Sequence, residues 1–109
     1  MTSVVIKKPR AEKDLRAHYT YIGDRNPDAA ERFLDAAEDA FVRLSRFPLM
    51  GRLWDSPAPR LAGIRFWTIP KFKNYRIFYR PIENGIEVLH VLHAARDIRR
   101  LLESEEPEE

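Results

Sequence analysis

The stretch YRIFYRPIENGIEVLHVLH, residues 75–93, decides how the rest of the chain is read. In its first part Tyr75, Ile77 and Tyr79 fall on one side and Arg76, Phe78 and Arg80 on the other, the period of two that a β-strand imposes. Asn84 and Gly85 both accept positive φ, so the two strands close into a hairpin. Just upstream IRFWTI, residues 64–69, is a third strand signal stopped by Pro70, which completes a three-stranded antiparallel meander. The hairpin is odd in one respect. Arg76, Arg80, His90, His93 and Arg96 stand among or just beyond its apolar positions.

Working outward, residues 52–62 (RLWDSPAPRLA) show no period and contain Pro57 and Pro59, which reads as a loop. Before it, Ala30, Phe33, Leu34, Ala37, Phe41 and Leu44 mark one face of a helix, stopped at Phe47-Pro48 and Gly51. Asn26 and Pro27 suit its N-cap and first turn, and Asp28 and Glu31 suit the positive end of its dipole. Ala11, Leu15, Tyr19 and Ile22 stripe an earlier helix that Pro9 can open, and the short link between the two makes an antiparallel pair. Val4, Val5 and Ile6 form a β-branched run, the first strand. The expected class is therefore α+β: strand, helical hairpin, meander, with one domain over 1–102 and an acidic, disordered tail at 103–109.

The 109-residue chain is 44% apolar and 33% charged, the composition of a soluble globular domain. It has no cysteine, which excludes a disulfide framework or thiolate metal site. No apolar run is long enough for a signal peptide or a membrane span, so a cytoplasmic location is expected. The formal charge of +2 hides an asymmetry. Five of 17 acidic residues lie in the last seven positions, and the remaining 19 basic against 12 acidic leave a body of +7. Such a body suits an acidic partner or a nucleic acid, although basic surface also serves solubility.

Six segments in order resemble the RelE/ParE superfamily of bacterial toxins: PRAEKDL at 9–15, NPDAAERF at 26–33, FPLMGR at 47–52, GIRFWTI at 63–69, YRIFYR at 75–80 and VLHAARDI at 91–98. The resemblance implies that family's fold with a short C-terminal helix. It also implies a growth-arresting, plasmid-stabilising toxin held in check by an acidic, ParD-like, DNA-binding antitoxin. RelE-like members cut messenger RNA on the ribosome and end in a further basic, histidine or tyrosine group. ParE-like members poison DNA gyrase. VLHAARDI looks like a ParE ending, and no tyrosine follows Tyr79. The expected target is therefore gyrase, with the ribosome and its message as the alternative.

Alternation turns Arg76 and Arg80 away from the helices, and Arg65, Lys71 and Lys73 lie on the neighbouring strand and turn. With His93 and Arg96 at the outgoing end, these seven form the candidate surface for target or partner. It is either a protein-binding site or a phosphate site, and the same alternation also serves a sheet face that is simply wet. A nuclease would draw on Arg76, His93 and Arg96, because cleavage through a 2′-hydroxyl needs a base, an acid and cations for the phosphorane. His90 and His93, three apart on a strand, should point to opposite faces, which argues against a metal site. His18 reads as ordinary surface. No metal or cofactor is expected.

Overall fold

In the computed structural model, residues 3–96 and 98–104 are described. The hairpin is its centre. Strands β4 (Phe72–Ile82) and β5 (Gly85–His93) pair antiparallel from Tyr75 opposite His93 to Ile82 opposite Gly85, and Asn84 turns between them at φ 67°. Their register shifts once: Phe78 faces His90 but Tyr79 faces Val88, so Leu89 has no partner and β5 bulges there.

β3 (Arg65–Ile69) pairs antiparallel with β4, and β1 (Val4–Lys7) pairs parallel with β5. The loop expected over 52–62 holds two short elements: β2 (Arg52–Leu53), which pairs with β3, and a 3₁₀ turn (Pro59–Leu61). Two residues of strand leave no period to detect. The five-stranded order is β1-β5-β4-β3-β2. Gly85 lets β1 approach, since a Cβ there would meet the Val4 carbonyl oxygen at 1.9 Å.

Helices α1 (Pro9–Gly23) and α2 (Pro27–Arg46) open at the two prolines named above. Asn26 Oδ1 accepts from the Ala29 N–H at 3.1 Å, a cap worth about 1 kcal/mol. Together the helices cover one face of the sheet, burying Phe33, Phe41 and Leu44 against Ile77, Tyr79, Val88 and Val91.

The opposite face is not wet, as alternation alone had implied. Phe78, which shares it with Arg76 and Arg80, is 0% exposed. A second apolar layer joins Phe78 and Leu92 to Leu61, Ile64, Ile98 and Leu102. Its cover comes from the segment after β2 and from α3 (Ile98–Ser104). The physical reason is that Phe66, Phe78 and Leu92 make this face apolar at its middle, and a period-less loop gave no sign that it could shield them.

α3 also carries the fold past residue 102. Glu103 accepts from Ser56 Oγ at 2.9 Å and from Arg99 at 3.0 Å, so it belongs to the folded body. The tail expectation otherwise falls on residues 105–109, outside the described ones.

Candidate functional site at the outgoing end of the hairpin

The seven candidate residues do not converge on one surface. Arg65 is committed to the backbone, donating to Gly51 O at 2.7 Å and Leu49 O at 3.2 Å. Beside it the Tyr79 hydroxyl donates to Pro48 O at 2.7 Å and accepts from the Gly51 N–H at 2.9 Å. A Cβ on Gly51 would lie 2.4 Å from that hydroxyl oxygen. The segment FPLMGR is thus clamped from below, with Phe47 and Leu49 left outside at 61% and 69% exposure.

Arg80 is also engaged, donating to the Arg60 carbonyl at 2.6 Å and standing 3.8 Å from Glu87. Arg76 is half-buried with its guanidinium carbon 5.6 Å from the centre of the Phe66 ring. These two arginines finish the rim of the second apolar layer. Lys71, in the β3–β4 turn at φ 69°, and Lys73 at the start of β4 are exposed.

His93 and Arg96 lie elsewhere, at the end where β5 runs out. β1 stops opposite Val88, so β5 beyond that point has no neighbouring strand on its outer side. Side chains of α1 take the strand's place. Asp14 accepts the Val91 N–H at 3.0 Å and lies 3.0 Å from His90 Nδ1, while His18 Nε2 donates to the Val91 carbonyl at 2.6 Å. One helical turn therefore supplies both groups that an edge residue would otherwise present to water.

The His18 ring packs edge-on to Tyr75 and Phe33, with centroids 4.8 and 6.0 Å away. His93 packs on Tyr75 from the other strand, 4.9 Å centroid to centroid and perpendicular. Three rings thus form one cluster around Tyr75. Burial pushes the His18 pKa below its ordinary 6.5, and His93 and Arg96 push the same way, against the Val91 carbonyl and Asp14. Burial also raises the Tyr75 phenol, with Tyr21 adding to it and Arg25 opposing.

His93 Nδ1 accepts the Ala95 N–H at 3.0 Å, which places the ring proton on Nε2. The turn beyond it is fixed by Ala94 N–H to Asn74 O at 2.6 Å and by Arg96 N–H to His93 O at 3.0 Å. The cluster offers donors and cations. The His93 acceptor nitrogen is occupied by the Ala95 N–H, while His18, which donates through Nε2, keeps Nδ1 as an acceptor.

The opposite-face expectation for His90 and His93 agrees with the pairing. Past the bulge at Leu89, residues 90–93 alternate without a break: His90 stands opposite Phe78 on the face of the second apolar layer, and His93 stands opposite Tyr75 on the helix-covered face, while the His90 ring also reaches Asp14 of α1. Among the described residues, no group of three or more His, Asp or Glu is placed to hold a metal ion. His18 is half-buried rather than ordinary surface. A signal for it existed, since Ala11, Leu15, His18 and Ile22 make a stripe as regular as the one drawn through Tyr19.

The helices border two kinds of groove. One, of about 670 Å³, runs between α2 and the β3–β4 turn over Ala36, Met50, Trp67 and Phe72, with Arg32 and Lys71 on its rim. Two smaller ones between α1 and α2, about 260 and 300 Å³, share Leu15, Arg16 and Leu34.

A five-stranded sheet backed on one face by a helical hairpin, and on the other by α3 and the segment after β2, makes this a small α+β domain. The family model for the ParE toxin of the type II toxin–antitoxin system parDE matches residues 5–98, and the chain belongs to that family. Among solved structures it is similar to a chain of the chromosomal ParDE toxin–antitoxin system from P. aeruginosa, with 20% identity and a TM-score of 0.67. That match covers 85% of this chain and 96% of the other. No curated protein matches the chain. Among the described residues no helix is long and apolar enough to cross a membrane.

Proposed function

We propose that this ParE-family toxin acts in the cytoplasm by binding and poisoning DNA gyrase, and that a cognate acidic, ParD-like antitoxin neutralises it. The observation that carries the toxin reading is the family match over residues 5–98. The gyrase reading is supported by the ending VLHAARDI and by the absence of a tyrosine after Tyr79. A poison that only binds needs no matched acid and base.

Of the seven candidate residues, Lys71, Lys73, His93 and Arg96 would meet the target directly. Arg65, Arg76 and Arg80 would act by shaping the loop and rim they hold. The antitoxin reading is supported by apolar groove floors with charged rims, which suit an amphipathic helix. It is supported also by the open edge of β1. There the Val4 and Lys8 N–H groups turn to β5, so those of Val5 and Lys7 turn outward, ready for an added strand.

The test runs two assays side by side. Purified toxin with gyrase and plasmid should lower supercoiling and trap cleaved DNA, and purified toxin with programmed ribosomes should leave the message whole. Site-specific cuts in ribosome-bound message, with supercoiling untouched, would replace gyrase by the ribosome. Antitoxin truncations should show that its C-terminal half alone restores growth.

A further inference from the structure

We propose that the segment 47–53 is the anchor by which this toxin grips a folded target protein, with Phe47 and Leu49 entering an apolar pocket rimmed by carboxylates on that protein. Assigning the pocket to gyrase rests on the gyrase reading; the anchor itself rests on geometry and charge.

Among the described residues, three of the seven large apolar side chains left exposed fall within this segment: Phe47 at 61%, Leu49 at 69% and Leu53 at 61%. Single exposed apolar residues are ordinary, whereas a group of them on fixed backbone marks an interaction site. The backbone here is fixed at several points. Pro48 O accepts from the Tyr79 hydroxyl at 2.7 Å, and the Gly51 N–H donates to the same oxygen at 2.9 Å. Arg65 Nη1 holds the carbonyls of Leu49 at 3.2 Å and Gly51 at 2.7 Å, and the Met50 N–H closes a turn onto Phe47 O at 3.0 Å. A Cβ on Gly51 would meet the Tyr79 hydroxyl oxygen at 2.4 Å and Phe66 O at 2.9 Å, so the chain passes here without room to spare. A loose loop could fold Phe47 and Leu49 back onto the domain. This one holds them outward, and the ordering that association would otherwise cost is already complete.

The partner's chemistry follows from the charges. Arg43 and Arg46 lie in the last turn of α2 just before Phe47, and Arg52 follows Gly51. All three are exposed, and among the described residues their side chains make no ion pair, unlike Lys7, Arg80 and Arg99. Arg43, Met50 and Lys71 line one groove, which joins the anchor to the exposed lysine of the β3–β4 turn; the acidic residues of that groove, Asp35 and Asp39, sit two turns and one turn back along α2. Unpaired arginines around apolar anchors suit a pocket edged by Asp and Glu and repel a basic one. The anchor also separates target from antitoxin. A disordered segment that folds on binding needs a concave bed, which the groove supplies, whereas an outward loop on rigid backbone needs the concavity on the other molecule, and a folded protein has one.

The test measures binding of the full-length toxin to purified gyrase holoenzyme by surface plasmon resonance, with supercoiling scored on the same samples. The double variant Phe47→Ala, Leu49→Ala should weaken binding and inhibition by about a hundredfold, roughly tenfold for each anchor, with its thermal midpoint unchanged because neither side chain is buried. Arg52→Glu should weaken binding by about tenfold at low salt, and the difference should shrink as salt rises. The cognate antitoxin, titrated by calorimetry, should bind the double variant as it binds the parent. Equal gyrase binding by parent and double variant overturns the anchor and leaves the gyrase reading standing. Loss of antitoxin binding in the double variant gives the loop to the antitoxin, and a parent dimer that this variant splits on sedimentation gives it to a second copy; either overturns the proposal. Unchanged binding in Arg52→Glu overturns the acidic rim. If the parent neither binds nor inhibits gyrase, the gyrase reading fails and growth decides the anchor: the double variant, expressed to the parent's level, should no longer arrest growth, and arrest equal to the parent's overturns it.

Discussion

The two faces of the sheet are covered in different ways. On one side α1 and α2, contiguous in sequence, seal Ile77, Tyr79 and Val91. On the other, a seven-residue helix and a loop some forty residues upstream share the work over Phe78 and Leu92. That second cover is latched by polar bonds: Arg60 to the Leu102 carbonyl at 2.7 Å, Ser56 to Glu103 at 2.9 Å and Arg99 to the Asp55 carbonyl at 3.1 Å. A long helical pair can hold its face through continuous apolar contact. A helix of two turns is marginal by itself and depends on what it lands upon.

The sharpest way to test that difference is to cut one anchor from each cover. Phe33 stands between His18, Phe72 and Tyr75 and is 0% exposed. Phe33→Ala should lower global stability by about 3–5 kcal/mol in urea denaturation. Leu102, 2% exposed on α3, should behave otherwise. Leu102→Ala should cost about 2 kcal/mol or less globally, because α3 can detach while the sheet stays folded, and its amides should lose hydrogen-exchange protection before those of β4 do. Equal global losses in the two variants would mean that both covers fold as one unit.

The same contrast explains what could be read in advance. Strands β3, β4 and β5, both long helices, their opening prolines and the cap at Asn26 follow from local periodicity and local chemistry, and each is found from the sequence, with β4 extending past the expected 75–80 at both ends. The second apolar layer does not, because its cover joins Trp54, Leu61 and Leu102 from segments with no shared period. Site geometry was hidden for a related reason. Arg65 and Arg80 look like free cations in a string of residues, and only the fold shows that carbonyls of Gly51 and Arg60 claim them. The bulge at Leu89, which puts Val88 and Val91 on the same helix-covered face, leaves no mark that residue types alone could reveal.

Tyr79 joins the two regions, since its ring is in the helix-side core while its hydroxyl holds the 48–51 loop leading to β2. Tyr79→Phe keeps the ring and leaves the Gly51 N–H and Pro48 carbonyl without it. The loss should be about 1–3 kcal/mol, read as a lower denaturation midpoint with the helices still packed. Exchange should quicken first at the Gly51 amide. If the core amides on β4 lose protection to the same degree, the hydroxyl is holding the core and not only the loop.

The smallest effect expected is a pH dependence confined to the helix-covered side. Burial lowers the His18 pKa beneath its ordinary 6.5, so the folded state binds that proton less readily than the unfolded chain does. Stability from neutral His18 is therefore complete above about pH 6.5 and is lost as the pH falls through the lower folded value. Protonation strands a charge against Phe33 and Tyr75, with His93 and Arg96 adding repulsion and Asp14 giving partial relief. His18→Gln keeps a donor for the Val91 carbonyl but cannot titrate, so the difference in midpoint between variant and parent, followed from neutral to mildly acidic pH, isolates this one group. The parent should lose stability faster than the variant on acidification, and the Val91 amide at the α1–β5 seam should open before those of α3. Parallel curves for the two proteins would show that the seam is held by Asp14 alone.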